Sequence, residues 1–282
     1  MQTRWGLFAI PSMAALGVLF IAPQFFLAVQ SLHPNLGLGR VGTGWTLDNY
    51  VRILSDAHYL NALLRTIWIS LLTTGVCLVL GYPVAYFLAR TSSRARGLLT
   101  LMVIAPLLIT IVVRSLGWII LLSNTGPVNF ALQASGLING PIPFIYNQLG
   151  VILGLVHAFL PMMIVILVGA IQQIDRSLED AAADLGASRL ETFARVVIPL
   201  SLPGISAGGV LIFGAATSVY TTTIMLGGGR VLTTPIQIGQ ELMMTLNYPV
   251  AAALAVIIAS IAFGLAIIGM RLTRARHLEA AI

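Results

Sequence analysis

Residues 175–204 read DRSLEDAAADLGASRLETFARVVIPLSLPG, the longest polar interruption in an otherwise apolar chain. Five of the nine acidic residues of the protein lie within this stretch. Apolar runs that approach the roughly 20 residues needed to cross a bilayer flank it on both sides. The sequence therefore predicts a polar segment that projects from a membrane-embedded protein, and we refer to residues 175–204 as the polar hairpin.

Local signals in the polar hairpin predict two short helices. A capping box pairs a hydroxyl with an acid three residues later, so that each side chain bonds the other residue's backbone N–H. Two pairs have this spacing: Ser177 with Asp180, and Ser188 with Glu191. Each pair predicts the start of a helix.

Glycine and proline mark where these helices are expected to end. Gly186 fits the left-handed position that follows a helix, which glycine adopts without steric cost. Pro199 and Pro203 are expected to end the second helix, because proline cannot donate a backbone hydrogen bond. The sequence thus predicts a helix–turn–helix with sharp boundaries.

The composition of the whole chain places it in a membrane. Apolar residues make up 58% of the 282 positions, charged residues only 9%, and the mean hydropathy is +0.96. A soluble domain carries about 25% charged residues. All 15 basic residues are arginine. A P-loop requires a lysine on the nucleotide phosphates, so the chain by itself is not a P-loop ATPase.

Six candidate membrane spans of about 20 apolar residues are separated by polar segments. The first span is longer than the apolar core of a cleaved signal peptide, which favours a retained anchor. The spans are expected at about residues 6–29, 67–89, 98–122, 149–171, 204–226 and 249–270. The predicted fold class is an all-α polytopic membrane protein, with residues 1–282 as a single transmembrane domain and the polar hairpin between helices 4 and 5.

Arginine is distributed unequally among the polar segments. Positive residues favour the cytoplasmic side. Placing the N-terminus inside assigns ten of the 15 arginines to that side, including Arg90, Arg94 and Arg96. Both termini and the polar hairpin are then expected in the cytoplasm. This topology explains the net charge of +6 better than nucleic-acid binding does.

Polar residues within the spans are candidates for a transport pathway. Arg114 in the third span must snorkel, pair or face water, because a buried guanidinium is costly in hydrocarbon. His157 in the fourth span is either a hydrogen-bonded packing residue or part of the pathway. Tyr220, Thr222 and Thr223 lie in a hydroxyl-rich part of the fifth span, which suits close helix packing or a polar pathway.

Two outer segments carry further signals. One is an amphipathic stripe formed by Leu47, Tyr50, Val51 and Leu54, which fits a helix on the membrane surface or a docking contact for a soluble partner. The other, between the fifth and sixth spans, contains the acidic residue Glu241.

The polar hairpin contains Asp180-Ala181-Ala182, then three residues and Gly186, and later Val196-Val197-Ile198-Pro199. This pattern resembles the EAA loop of ABC importer permeases, the membrane subunits of binding-protein-dependent transporters. Asp180 stands where Glu is usual, with Glu179 beside it. Segments 81–86 (GYPVAY) and 226–230 (LGGGR) are similar to the spermidine/putrescine branch of that family.

In this family the EAA loop is the coupling helix, which docks on a separate ATPase subunit. The resemblance implies this role for six residues: Glu179, Asp180, Ala181, Ala182, Leu185 and Gly186. The implied partners are a second permease, expected to be a different homologous chain, an ATPase dimer that binds ATP and Mg²⁺, and a periplasmic binding protein. No cofactor, metal or catalytic residue is expected in this chain, and the expected location is the bacterial inner membrane.

The leading hypothesis is a non-enzymatic permease subunit that forms the pathway for a small solute, and the resemblance implies a polyamine such as spermidine or putrescine. An ion-gradient-driven secondary carrier is the main competing hypothesis. Such a carrier is expected to hold acidic residues at mid-membrane, and the six spans contain no Asp or Glu. Two further hypotheses are an ABC permease for a different small solute and a membrane scaffold without transport.

Overall fold

The computed structural model describes residues 3–92, 94 and 96–279, without the side chains of residues 3–10, 12, 270 and 272–279. The chain ends lie outside the described residues, and so do the side chains of Arg4, Arg274 and Arg276, on which part of the predicted topology depends. The cytoplasmic position of the termini stays a prediction.

The described chain is almost entirely helical. Its two short strands, β1 (Asn35–Gly37) and β2 (Arg40–Val41), pair antiparallel with an irregular register. The helices are α1 (Thr3–Gln30), α2 (Asp48–Ser55), α3 (Ala57–Arg90), α4 (Arg96–Ile104), α5 (Ile111–Leu122), α6 (Pro127–Ala134), α7 (Gln148–Gln172), α8 (Arg176–Asp184), α9 (Arg189–Thr192), α10 (Ile198–Leu200), α11 (Leu202–Thr217), α12 (Thr221–Gly227), α13 (Thr234–Met243) and α14 (Tyr248–Glu279).

Within the described residues, five helical segments are long and apolar enough to cross a membrane: Met13–Gln30, Ala57–Arg90, Ile111–Ala134, Gln148–Gln172 and Tyr248–Gly269. A sixth is present if Arg189–Leu200 and Leu202–Thr217, which meet at a 65° bend, form one span. The predicted fold class of an all-α protein with about six spans is confirmed.

The third predicted span, 98–122, is not one continuous helix. It is divided into α4, a 3₁₀ turn at Ala105–Leu108, and α5. Pro106 is the second residue of the 3₁₀ turn, and proline interrupts the α-helix because it lacks the N–H that a helix interior requires. The expectation of a single helix there is wrong.

The fifth predicted span, 204–226, is also interrupted. α11 ends at Thr217, and α12 begins at Thr221 after a short break. The hydroxyls of Thr217 and Ser218 bond the carbonyls of Gly214 and Ala215, three residues back. Such local bonds compete with the helical ladder, and they coincide with the end of α11.

The outer segment between the first two predicted spans contains more regular structure than the one amphipathic helix predicted there. Both strands lie in it, and α3 begins at Ala57, ten residues before the predicted span. The amphipathic helix is present as α2, and Leu47, Val51 and Leu54 of its predicted stripe are exposed. The contact of that stripe with a membrane surface or with a soluble partner stays a prediction.

The chain forms two compact units, the first made of the residues up to Leu63 with Thr234–Ser260, and the second of Leu64–Thr233 with the residues from Ile261 onward. In the first unit Ile53, Tyr59, Val250 and Leu254 form a buried cluster. The prediction that residues 1–282 form a single transmembrane permease domain stays a prediction.

The second unit is built on close contact between α7 and α11. A Cβ at Gly204 would lie 2.1 Å from the Cβ of Ala170, so only glycine allows this approach. Gly208, four residues later, faces Met163 in the same way. Small residues at this spacing bring membrane helices together. The polar hairpin connects these two helices, so their contact fixes where the hairpin begins and ends.

Candidate functional site: the polar hairpin and its junction with α3

The first helix of the polar hairpin is capped by a different residue from the one predicted. Asp175 is the N-cap of α8, and its side chain accepts the N–H of Ser177. The predicted capping box of Ser177 with Asp180 is therefore wrong. Asp and Ser are comparable caps, and the end of α7 places Asp175 at the position where the helix begins.

The second cap has the predicted form. Ser188 accepts the N–H of Glu191, and the Glu191 carboxylate accepts the N–H of Ser188 at 2.9 Å. These bonds lower the pKa of Glu191, and the bond from Ser177 lowers the pKa of Asp175. Because folding lowers these carboxyl pKa values, each cap stabilises its helix fully at a pH above the pKa of the unfolded state. That stabilisation is lost as the pH falls through the pKa of the folded state.

Gly186 makes the turn between the two helices as predicted. Its φ is +86°, and its N–H donates to Ala183 O while Ala187 N–H donates to Ala182 O. These two bonds form a Schellman motif, which satisfies the last carbonyls of α8. No other atom lies within 4 Å of a Cβ placed at Gly186, so the requirement for glycine is conformational and not steric.

The second helix does not end at Pro199. α9 continues into a π-helix at Phe193–Val197 and then α10, and the break comes at Ser201. The N–H of Ile198 donates to Phe193 O, five residues back. A π-helical turn joins residues five apart instead of four, which changes the backbone hydrogen-bond pattern just before Pro199. Pro199 has no N–H to donate, and it lies in the first turn of α10, where a helix tolerates that loss. Pro203 begins α11 and does not end the helix before it.

The turn between α8 and α9 presents apolar side chains that nothing in the described chain covers. Leu185 is 89% exposed and Leu190 is 80% exposed. Asp180, Ala181 and Gly186 are also exposed. Five of the six predicted coupling residues thus lie at or near the surface of the polar hairpin. Four of them are exposed, and the fifth, Ala182, is partly buried.

Glu179, the sixth, faces the other way. Its Oε1 lies 2.5 Å from Nη2 of Arg90, and its Oε2 accepts the hydroxyl of Tyr86 at 2.8 Å. The side chains of Arg90 and Glu179 are only 14% and 15% exposed. Arg90 and Glu179 form an ion pair, but Oε1 of Glu179 accepts no hydrogen bond of good geometry from the described residues. We call Tyr86, Arg90 and Glu179 the α3 junction.

Backbone and aromatic contacts surround the α3 junction. Arg90 donates to Ile174 O at 3.1 Å, and Arg176 donates to Arg90 O at 2.8 Å. The Phe193 ring packs edge-on against Tyr86, with 5.3 Å between ring centroids. Two turns of α3 are therefore held against both helices of the polar hairpin. The sequence pattern links Arg90 to membrane topology alone and indicates no contact for Tyr86 or Phe193.

Arg114 and His157, two predicted pathway residues, lie near each other on α5 and α7. Arg114 donates to Ile109 O at 3.0 Å, a carbonyl at the break between α4 and α5. His157 packs edge-on against Trp118 at 5.5 Å, and its buried Nδ1 has no partner in the described chain. Arg114 is thus satisfied in part by the broken helix and does not depend on snorkelling.

The other predicted pathway residues differ in exposure. Tyr220 is 40% exposed, whereas Thr222 and Thr223 are buried in α12. Thr223 donates to Val219 O, which is a local helix bond. In the first unit Glu241 is buried and accepts the Tyr59 hydroxyl at 2.5 Å. The polyamine resemblance makes Glu241 a candidate contact for a cationic substrate or a binding protein, and that stays a prediction.

The family model described as "Binding-protein-dependent transport system inner membrane component" matches residues 78–276, which include the whole polar hairpin. The chain belongs to this family. It is therefore a multi-pass permease of the inner membrane, as the resemblance in the polar hairpin predicted.

Two relatives and one solved structure show how far the similarity extends. The chain is 39% identical over 209 residues to the spermidine/putrescine transport system permease protein PotB of Escherichia coli (strain K12), covering 74% of this chain and 76% of that protein. It is 32% identical over 215 residues to PotB of Haemophilus influenzae, covering 75% and 73%. The branch resemblance is confirmed.

The fold is shared with a bacterial ABC transporter involved in importing the acidic polysaccharide alginate. The TM-score is 0.76 with 20% identity, over 97% of this chain and 96% of that one.

Proposed function

We propose that this chain is the permease subunit of an ATP-driven ABC importer for a polyamine such as spermidine or putrescine. The observation that carries the proposal is the rigid, capped polar hairpin with Leu185 and Leu190 exposed at its turn. Exposed leucines of this size suit a protein partner, because burying one contributes about 1.5–3 kcal/mol.

The partner that fits this turn is a cytoplasmic ATPase dimer, which binds ATP and Mg²⁺ itself and leaves this chain without a catalytic step or cofactor. Asp180 and Asp184 lie on the exposed side of α8, where charge complementarity orients a docking partner. A periplasmic binding protein delivers the solute, and a second, homologous permease completes the pathway. The family description, which names dependence on a binding protein, supports this assembly.

The substrate class rests on the two relatives named as spermidine/putrescine permeases. Within the pathway we assign Tyr220 to the substrate-facing wall, because its ring is partly exposed and an aromatic face attracts an amine cation. Thr222, Thr223, His157 and Arg114 would shape this wall from within the helix packing.

The proposal is tested first through the cognate binding protein. Thermal-shift screening of that protein against spermidine, putrescine, amino acids and sugars should give the largest stabilisation with a polyamine, since a ligand stabilises the folded state it binds. Vesicles that contain the complete system should then take up that polyamine when supplied with ATP.

Two results would contradict the proposal in different ways. Strong stabilisation by an amino acid or sugar alone would exclude the polyamine assignment and leave the importer assignment intact. Uptake that survives ATP depletion and collapses with an ionophore would instead favour an ion-gradient carrier.

A further inference from the structure

Glu179 and Asp180 are adjacent carboxylates on α8 that differ in exposure and in their contacts. Asp180 is exposed beside the turn of the polar hairpin, whereas Glu179 contacts Arg90 and Tyr86 on α3. A carboxylate that is 15% exposed and already engaged by an arginine and a tyrosine is poorly placed to bind a second protein. The two acids therefore serve different purposes.

We propose that Glu179 is a positioning residue that fastens the polar hairpin to the end of α3 through Arg90 and Tyr86, so that a displacement of the hairpin moves α3. This inference deepens the proposed function and rests on it, because it names the helix that receives the force from the ATPase. It also removes Glu179 from the set of residues that contact the ATPase.

The strength of the α3 junction comes from the shielding of its charges. Charge pairs attract more strongly away from water than at an exposed surface. Removing one member of a shielded pair leaves the other charge without compensation, which costs more than the pair itself contributes. A small shift of the hairpin that broke this contact without admitting water would leave both charges shielded and unpaired. The two elements are therefore expected to move together.

A second attachment lies one turn away from the α3 junction. The hydroxyls of Tyr82 and Ser201 are 2.5 Å apart, and Ser201 is the residue at the break between α10 and α11. Phe193 packs against the rings of both Tyr82 and Tyr86. The last turns of α3 are thus bonded to the first helix of the hairpin and to its end.

α3 has a point at which such a displacement can be absorbed. Pro83 lies inside the helix between the two attachments, Tyr82 and Tyr86. Proline removes one backbone hydrogen bond of the helix and is the usual site of kinks. The hydrogen bond that Pro83 lacks belongs to the turn that ends at this residue, so the segment from Tyr82 to Arg90, which carries both attachments, is the part of α3 that follows the hairpin.

The test compares Glu179→Gln with Asp180→Asn in the complete transporter, purified through a tag on this chain. Glu179→Gln should leave the amount of copurified ATPase unchanged. In the transporter that carries Glu179→Gln, the factor by which loaded binding protein stimulates ATP hydrolysis should fall at least about fivefold. Fivefold is the lower end of the typical coupling between two sites. Asp180→Asn should instead reduce the copurified ATPase, because Asp180 lies on the exposed docking side.

Further variants separate positioning from simple stability. Arg90→Lys keeps the cation and should retain most of the stimulated hydrolysis, whereas Arg90→Gln should reproduce the defect of Glu179→Gln. If Glu179→Gln does not accumulate in membranes, Tyr86→Phe takes its place in the test, because it removes one hydrogen bond and leaves no charge unpaired. Tyr86→Phe should lower the stimulation of ATP hydrolysis by a smaller factor than expected for Glu179→Gln. Wild-type coupling in both Glu179→Gln and Tyr86→Phe would overturn the proposal.

Loss of the ATPase from the Glu179→Gln complex would overturn the proposal in favour of a direct ATPase contact. Hydrogen–deuterium exchange on the full chain in nanodiscs needs no ATPase or substrate. There Glu179→Gln should speed exchange in residues 84–90 and in α8, while Asp180→Asn should not. If the wild-type chain copurifies with no ATPase, the proposed function fails, and this exchange experiment still decides whether the α3 junction holds the hairpin.

Discussion

At the scale of single residues, Gly186 shows why one position in the polar hairpin allows little variation. Its φ of +86° lies in the left-handed region, and open space surrounds a Cβ placed there. The left-handed conformation costs an ordinary residue about 1–2 kcal/mol, more for a β-branched one, and asparagine tolerates it best. The consequence of a substitution therefore depends on backbone preference and not on size.

Gly186→Val should reduce ATP-dependent uptake strongly, whereas Gly186→Asn, of similar bulk, should retain most of it. Valine would unwind the end of α8 and displace the neighbouring Leu185, while asparagine keeps the Schellman bonds. Uptake is measured at equal amounts of subunit in the membrane, as judged by immunoblot. Equal activity of the two variants would show that the left-handed turn is not required for coupling.

At the scale of elements, the turn between α8 and α9 separates two kinds of contact. Glu179 and Phe193 face α3, while Leu185 and Leu190 face away from the described chain. Substitutions on the outer side should therefore affect assembly and leave the fold of this chain intact, since surface changes away from packed features have small effects on stability.

Leu185→Asp should abolish copurification of the ATPase without lowering the amount of this chain in the membrane. An aspartate at the centre of an apolar contact introduces an unpaired charge that the partner must desolvate. Leu137→Asp is the matched control, because Leu137 is also highly exposed but lies in the segment predicted on the outer side. Equal loss of the ATPase from both variants would mean that the effect is not specific to docking.

The sequence alone predicts those features of the polar hairpin that depend on a few neighbouring residues. The Ser188 capping box and the Gly186 turn both depend on backbone groups within one turn. The contact of Glu179 with Tyr86 joins residues 93 positions apart, and no local pattern encodes it. The π-helix before Pro199 begins at Phe193, whose ring packs against Tyr86 of α3, another contact that no local pattern encodes.

At the scale of the whole molecule, the number of spans decides the topology. An even number places both chain ends on one side of the membrane, and an odd number places them on opposite sides. The span that decides between them is the pair Arg189–Leu200 and Leu202–Thr217 with its 65° bend. Arginine distribution alone favours six spans, because it puts the polar hairpin and the C-terminal arginines on the same side.

Single cysteines at three exposed positions distinguish six spans from five. With six spans, Leu137→Cys and Met244→Cys should react with a membrane-impermeant maleimide from outside intact spheroplasts, and Leu185→Cys only after permeabilisation. The native thiol of Cys77 is buried, which keeps the background low. If the bent pair does not cross the membrane, Leu185→Cys and Met244→Cys must react from the same side. If both react only after permeabilisation, α13 lies on the cytoplasmic side with the polar hairpin, and the proposed ATPase contact at Leu185 is retained. If both react from outside, the basis for that contact is removed.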